Sequence, residues 1–332
     1  LSPAICGRTP LKQAKHKNFK PEDYMSLLIT EAFVQEYSAN LYMLSQQKGS
    51  RLAPFVRQET INGKAKAFDR IGSVDSILKA GRHSDTPQLD TPHSRRWCYL
   101  ADYEWADLID DLDKVRMLNS PESEYVVAAM WAMGRRKDDV LIAAADATVT
   151  TDEDQGGTAA HPNSQKYAAN NGSALSNLNV RTLIALKSKF GSNDIDEEIP
   201  LHIAVQQSQL DSLLADDQVT SADYNTVKAL VKGEVDSYLG FKFHRIQRLG
   251  TQTAALSGSP TTGAVGSGSS LIGCRKVIAW AQDGLILGIG SDMKAKISER
   301  ADKSYAVQAY ASMALGAVRM EEVKVVIALC TE

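Results

Sequence analysis

Residues 119–145 read NSPESEYVVAAMWAMGRRKDDVLIAAA, and this stretch decides the fold. Asn119 or Ser120 can accept a hydrogen bond from the free N–H groups of a first helical turn. Pro121 suits that first turn, and Glu122 can complete a capping box. Apolar residues then run from Tyr125 to Met133 and resume at Val140, on either side of Arg135, Arg136 and Lys137. The pattern predicts one continuous helix over residues 120–145. Such a helix is about 40 Å long, far longer than the usual helix of about 11 to 12 residues. Gly134 is the position where a slight bend is expected.

On the N-terminal side, residues 26–47 place Leu28, Phe33, Tyr37, Leu41 and Leu44 at roughly helical spacing, stopped by Lys48 and Gly49. This predicts an arm with an amphipathic helix, whose apolar stripe needs another surface. Around Asn62 and Gly63, a strong hairpin dipeptide, lie Arg57, Glu59, Ile61, Lys64, Lys66 and Phe68. Residues 80–96 are polar and loop-like, with Pro87 and Pro92, and residues 97–105 (WCYLADYEW) read as a second strand. Together they predict a long two-stranded excursion over residues 51–105. Two strands alone are marginal in water, and Phe55, Ile61, Phe68, Ile71, Trp97, Tyr99, Tyr103 and Trp105 cannot all be buried within such a ribbon. A neighbour is expected to cover part of it.

On the C-terminal side, residues 148–176 are rich in Thr, Asp, Asn and Gly and predict a long flexible loop. Residues 179–190 predict a short helix ended by Gly191, and residues 200–206 a buried strand. Residues 209–214 and 221–231 look helical, and residues 237–249, with Tyr238, Phe241, Phe243 and Ile246, read as a strand. This alternation is that of a compact α/β unit. A second mobile loop, rich in Gly, Ser and Thr, covers residues 251–273. Strand-like runs follow at 277–281, 285–289 and 293–297; residues 305–315 fit strand or helix, and 322–329 close the chain.

Composition bounds the function. With 332 residues, 43% of them hydrophobic and 23% charged, the chain can bury a sizeable core in one large or two modest domains. A net charge of −3 argues against a surface that grips nucleic acid all round. Cys6, Cys98, Cys274 and Cys330 are scattered, with no zinc spacing, as unpaired thiols of a reducing compartment would be. No apolar run approaches the ~18 to 20 residues of a membrane helix, and no secretory leader is visible, so use in the cytosol, or in something assembled there, is expected. The chain begins at Leu1, and Met25 opens a stretch that reads like a natural start. Residues 1–24 are either non-native or a basic arm carrying Lys12, Lys15, Lys17 and Lys20.

Candidate chemistry is sparse. Gly288 and Gly290 resemble half of a dinucleotide fingerprint but lack its third glycine and its helix. Gly268 with Ser269 and Ser270 lacks the strand-turn-helix context of a nucleophile elbow. Asp107, Asp110, Asp111 and Asp113 could hold a hard cation or form a solvated helix face, with Asp110 and Lys114 at pairing distance. Asp152, Glu153 and Asp154 lack calcium-loop spacing. His83, His93, His161, His202 and His244 are dispersed, and His202, in an apolar strand, reads as a core residue rather than a ligand. No catalytic residue, cofactor site or metal site is assigned, and no cofactor is expected. The chain spends its residues on reach instead: an arm, a hairpin, a long helix and two loops. Such surface makes sense if identical neighbours bury it.

That order resembles the major capsid proteins of tailed phages with the Hong Kong 97-like fold, an α+β architecture. Residues 235–249 (VDSYLGFKFHRIQRL) are similar to the strand that ends a compact domain in that family. Asp292 to Arg300, then Lys303 to Val307, Gly316 to Arg319 and a hydrophobic last strand look like its usual ending. The resemblance covers most of the chain, and no single motif is diagnostic.

The resemblance implies an N-terminal arm (1–50), an extended β-hairpin loop (51–108) and a peripheral domain with a spine helix (109–177). It further implies an axial domain with a mobile loop (178–273) and closing strands returning to both sheets (274–332). It implies a structural protein, not an enzyme, that self-assembles into the icosahedral shell around a phage double-stranded DNA genome. The implied partners are copies of itself in hexamers and pentamers, portal and scaffolding proteins, a decoration or cementing protein, and packaged DNA touched without sequence preference through basic clusters such as Arg135, Arg136 and Lys137. No membrane is involved. The virion would be its place, after assembly in the bacterial host cytoplasm. Related capsids crosslink a Lys to an Asn between subunits, and Lys64, Lys66 and Lys79 lie in the excursion. Two competing readings are another self-assembling shell, virion or encapsulin-type, and a cytosolic α/β enzyme with its site in residues 201–243.

Overall fold

A computed structural model describes residues 46–79, 81–83, 85–86, 88–109, 122–153, 156–171, 174–215, 237–254 and 271–332. The arm helix expected at 26–47, the capping side chains at 119–122, the helix expected at 221–231, most of the 251–273 loop and Asp110, Asp111 and Asp113 lie outside the described residues.

Three α-helices are described: α1 Glu122–Asp146, α2 Val180–Ser192 and α3 Gln207–Leu214. The strands, in chain order, are β1 Arg57–Thr60, β2 Ala65–Ile71, β3 His93–Tyr99, β4 Ala101–Ile109, β5 Val149–Thr150, β6 Thr158–Ala159 and β7 Lys166–Ala168. They continue with β8 Leu201–Val205, β9 Ser237–Tyr238, β10 Phe241–Arg245, β11 Arg275–Ala281, β12 Leu285–Arg300, β13 Ala306–Arg319 and β14 Val325–Cys330. They form a six-stranded sheet, β7-β14-β11-β8-β10-β9, and two four-stranded sheets, β1-β12-β13-β4 and β2-β3-β5-β6.

The six-stranded sheet is buried on both faces, which is why β14 is a continuous apolar run and β8 is apolar but for His202. Alternate residues point to opposite faces. Ile203, Val205, Val277, Ala279, Val326 and Ala328 pack against Leu183, Leu186 and Phe190 of α2 and Leu213 of α3. Ile278, Trp280, Ile327 and Leu329 face the other way, onto Leu141 and Ala145 of α1 and Leu52 and Val56 before β1. The N-terminal half of α1 meets a different sheet: Ala129 and Met133 pack on Ala311, Met313 and Leu315 of β13, flanked by Tyr103 and Trp105 of β4. One helix thus ties two sheets together, and its length follows from that.

α1 is continuous through Gly134. This glycine serves close approach rather than bending. The backbone at Gly49 and Ser50 crosses the helix there, and a Cβ on Gly134 would stand 2.9 Å from the Ser50 nitrogen. α2 is capped as its sequence suggests, with the Asn179 side chain accepting from the Thr182 N–H at 2.8 Å. The helix passes through Gly191 and ends at Ser192, one turn position later than the glycine predicts.

Several expectations are corrected. Asn62 and Gly63 do not close a hairpin. β1 pairs in parallel with β12, and β2 pairs instead with β3. The Ile61 N–H bonds to the Ile289 carbonyl at 2.9 Å, and its side chain is buried with Ile286 and Val318. Gly63, at φ +121°, therefore turns the chain from one sheet into another. The 97–105 run is likewise two strands in two sheets, with Leu100 as the corner between β3 and β4. The 148–176 segment is not a flexible loop. β5, β6 and β7 are short strands, too short to show a period of two, and β14 takes up β7 in parallel at Ile327, Ala328 and Leu329. The strand expected at 237–249 is a small hairpin, β9 to β10, with Leu239 (φ 52°) and Gly240 (φ 82°) in the left-handed geometry of its tight turn. Residues 293–315 belong to one long antiparallel hairpin, β12 to β13, in which the 305–315 stretch is strand.

The excursion is partly covered by its own chain. Phe68 and Cys98 are buried with Val149, Ile286 and Val318. Its distal end leaves Ile71 of β2 exposed, and Val74, Ile77, Leu78 and Leu89 of the connection that follows. Among the described residues, no helix is long and apolar enough to cross a membrane.

Candidate functional site

The chemistry-bearing side chains of this chain are spent on joining elements. Asp138, on α1 and fully buried, accepts from the backbone N–H groups of Arg51 (3.1 Å) and Leu52 (3.0 Å) and from Ser50 Oγ and Gln47 Nε2. One carboxylate thereby fixes the segment that enters β1 onto the middle of the helix.

The C-terminus of α1 carries a second joint. The buried Arg319 of β13 donates from Nη1 to the carbonyls of Ala145 and Ala147, both at 2.9 Å, and so caps the helix where a cation suits the dipole. Burial pulls the Arg319 guanidinium below its ordinary pKa, while Glu322 and Asp146 act in the opposite sense. Asp146 accepts from Lys166 (2.7 Å) and Lys276 (2.6 Å). Burial acts to raise its pKa, and the hydrogen bonds from these lysines outweigh burial, holding it below the usual carboxylate value. His161 faces the Val325 carbonyl at 3.0 Å, and burial followed by Arg319 holds it neutral, with a pKa of about 4. Glu322 meets Arg96 at 2.5 Å and Arg70 at 3.5 Å.

Histidines that the sequence leaves dispersed are brought together in one place. His202 Nδ1 and His244 Nε2 are 3.0 Å apart, one donating and the other accepting. Phe55 stacks on His244 with ring centroids 4.0 Å apart, and its carbonyl accepts from Trp280 Nε1 at 3.1 Å. Burial lowers both imidazole pKa values to about 4, with Lys242 adding to the effect on each. The reading of His202 as a core residue stands, and β10 supplies the partner that β8 alone does not reveal.

Gly288 and Gly290 lie inside β12, with no helix after them. Gly288 pairs with Gly316 of β13, and the β3–β4 corner crosses above them. A Cβ on Gly288 would collide with Ile61, on Gly290 with Leu100, and on Gly316 with the Tyr99 carbonyl. The three glycines are the floor of a strand crossing, not a phosphate cradle. Gly268, Ser269, Ser270 and Asp154 lie outside the described residues. Asp152, Glu153 and His83 are exposed on loops, and His93 is exposed at the start of β3. Among the described residues no three His, Cys, Asp or Glu side chains are placed to hold a metal ion.

Of the three lysines in the excursion, Lys64 and Lys79 are exposed, and Lys66 Nζ lies 3.1 Å from Glu59, whose pKa Arg57 and Lys66 hold below its ordinary value. The basic triplet on α1 is occupied within the chain. Arg135 donates to Gln46, Arg136 sits over the Tyr103 ring, and Lys137 lies 3.3 Å from Asp292.

Comparison with known proteins agrees with a structural part. A family model described as phage capsid protein matches residues 29–332. The chain belongs to the phage capsid protein family. Its fold is similar to that of cyanophage Pam1 capsid, with a TM-score of 0.66 at 13% identity over 89% of this chain and 95% of that one. The capsid of Helicobacter pylori bacteriophage KHP30 gives 0.65 at 11% identity over 96% and 99%. Cyanophage P-SCSP1u capsid gives 0.64 at 14% over 91% and 94%. No curated sequence matches. This capsid protein is therefore a structural component of a phage shell, and its mixed α/β architecture is that of other phage capsid subunits.

Proposed function

We propose that this capsid protein closes into an icosahedral shell of hexamers and pentamers around double-stranded DNA, with a Hong Kong 97-like division of labour. α1 acts as the spine of a peripheral region spanning 109–177, and the six-stranded sheet with α2 and α3 is the centre of an axial region spanning 178–273. The arm is 1–50, the extended loop 51–108, and the strands of 274–332 return to both sheets. Over Met25 onward the sequence resembles the major capsid protein of the Bordetella tropism-switching podophage, and that is the relative we propose. Portal and scaffolding proteins, and a decoration protein, are further proposed partners, with DNA held without sequence preference through phosphate electrostatics. Its place is the virion, after assembly in the bacterial host cytoplasm.

The observation that carries this reading is the connection over residues 72–92. Leu78 is 93% exposed and Ile77 55%, and Ile71, at the end of β2 beside them, is 70% exposed, so large apolar side chains are left mostly uncovered by the described residues. Burying each would contribute roughly 1.5 to 3 kcal/mol, and neighbouring subunits supply the cover. The two ends of the connection are already tied, the Gly72 N–H donating to the Pro92 carbonyl at 2.8 Å. Replacing residues 73–91 with a short turn should leave the circular dichroism spectrum folded and prevent shell closure in the electron microscope. Normal closed shells from that deletion would contradict the reading.

A further inference from the structure

The distal half of the β12–β13 hairpin is poorly covered by its own fold. β1 pairs with β12 only from Ile286 to Ile289. Beyond that, among the described residues, the outer edge of β12 has no strand beside it. β4 forms the opposite edge, paired to β13 on one side only. α1 covers one face of this three-stranded ribbon through Ala311 and Met313.

The register fixes what the other face carries. Lys294, Ser312 and Glu104 lie in one row across the strands, and Lys296, Tyr310 and Ala106 in the next. Asp102 pairs with Ala314 on the same face, two residues before Glu104. The open face is therefore basic along its β12 border and acidic along its β4 border. Lys294, Lys296, Asp102 and Glu104 are exposed, and none has an ion-pair partner among the described residues. β12 and β4 are both antiparallel to β13, so the two edges run in the same direction. The β12 edge of one copy can then meet the β4 edge of the next, a head-to-tail contact that builds a ring when its rotation closes.

We propose that the ribbon is a head-to-tail contact between copies of this chain, with the Lys294 and Lys296 border of one subunit against the Asp102 and Glu104 border of the next. This rests on the shell-forming reading above. Lysines on an open edge also guard against unwanted strand pairing. An acidic border on the other edge, with Glu104 in the row of Lys294 and Asp102 one row on, is what pairing between copies adds. Such charges set register and partner choice more than affinity.

Charge exchange tests it. Lys294→Glu with Lys296→Glu, and separately Asp102→Lys with Glu104→Lys, should each abolish shells, and all four together should restore them. A second measurement is independent of charge. Lys294→Cys with Glu104→Cys, in a Cys6→Ser background, puts two thiols two strand spacings apart within one chain, about 10 Å, beyond disulfide reach. Oxidation should then give a ladder of covalent oligomers on a non-reducing gel. Shells from both charge-reversed pairs, or failure of the fourfold exchange to restore them, together with no ladder, overturn the contact and leave the shell reading standing. If the unaltered protein forms no shell, the shell reading fails. A ladder would then still uphold the contact, and its absence would overturn both.

Discussion

Removing the Asp138 carboxylate should loosen the entry to β1 from α1 and destabilise the chain substantially. Asp138→Ala leaves the N–H groups of Arg51 and Leu52 without their acceptor, and Leu52 is buried. A buried donor left unsatisfied, as the Leu52 N–H would be, costs about 1 to 3 kcal/mol, with a smaller share from the part-buried Arg51 N–H, against the 5 to 15 kcal/mol of a typical domain. Release from desolvating the carboxylate offsets part of this. Asp138→Asn keeps the volume and one acceptor oxygen but turns an NH₂ toward a site where every partner, Gln47 Nε2, Ser50 Oγ and two backbone N–H groups, arrives as a donor. It should fall between the wild type and the alanine variant. Urea denaturation followed by circular dichroism gives the size of the loss, and hydrogen exchange at the Arg51 and Leu52 amides gives its place. An alanine variant as stable as the wild type, with those amides still protected, would show that the carboxylate does not hold this joint.

Acid should weaken the fold through the buried His202 and His244. Their pKa values fall from 6.5 to about 4, so this stability is fully present above pH 6.5 and is lost as pH falls toward 4, by about 3 kcal/mol for one imidazole; replacing both with Phe should flatten that part of a urea-midpoint profile, although His161 keeps its own contribution. Gly316→Ala should destabilise by about 1 to 3 kcal/mol, because its Cβ would drive into the Tyr99 carbonyl, whereas Gly191→Ala, with open space around it on α2, should stabilise by up to about 1 kcal/mol; equal thermal shifts would refute the strand-crossing account. Val127→Pro, at a half-exposed position inside α1, should cost ~3 kcal/mol or more and abolish shells with little loss of side-chain packing, and normal shells would remove the spine from the account.

The long helix was legible because its signal is local. A dense apolar run of helical formers over 25 residues needs no partner to be read. β8 was legible for a similar reason, since five consecutive buried residues announce a sheet covered on both faces. Pairing was not legible. Asn62 and Gly63 carry hairpin chemistry, yet the buried Ile61 and its bond to Ile289, more than two hundred residues away, decide where β1 goes. The strands of two or three residues in the 149–168 segment are held by distant partners, β5 by β3 and β7 by β14 and the Lys166–Asp146 pair, and polar composition hides them. The joints were invisible for the same cause. His202 and His244, Arg319 and the carbonyls of Ala145 and Ala147, and Asp138 with the amides of Arg51 and Leu52 meet only after the sheets have formed. The paired glycines Gly288 and Gly316 could be mistaken for a cofactor loop until the crossing strand above them is seen.

Electron microscopy of the purified, unaltered protein tests the central claim most directly. The account predicts closed icosahedral shells built from this chain. A protein that remains a small soluble oligomer at every concentration and salt condition tried, with residues 72–92 still uncovered, would contradict it.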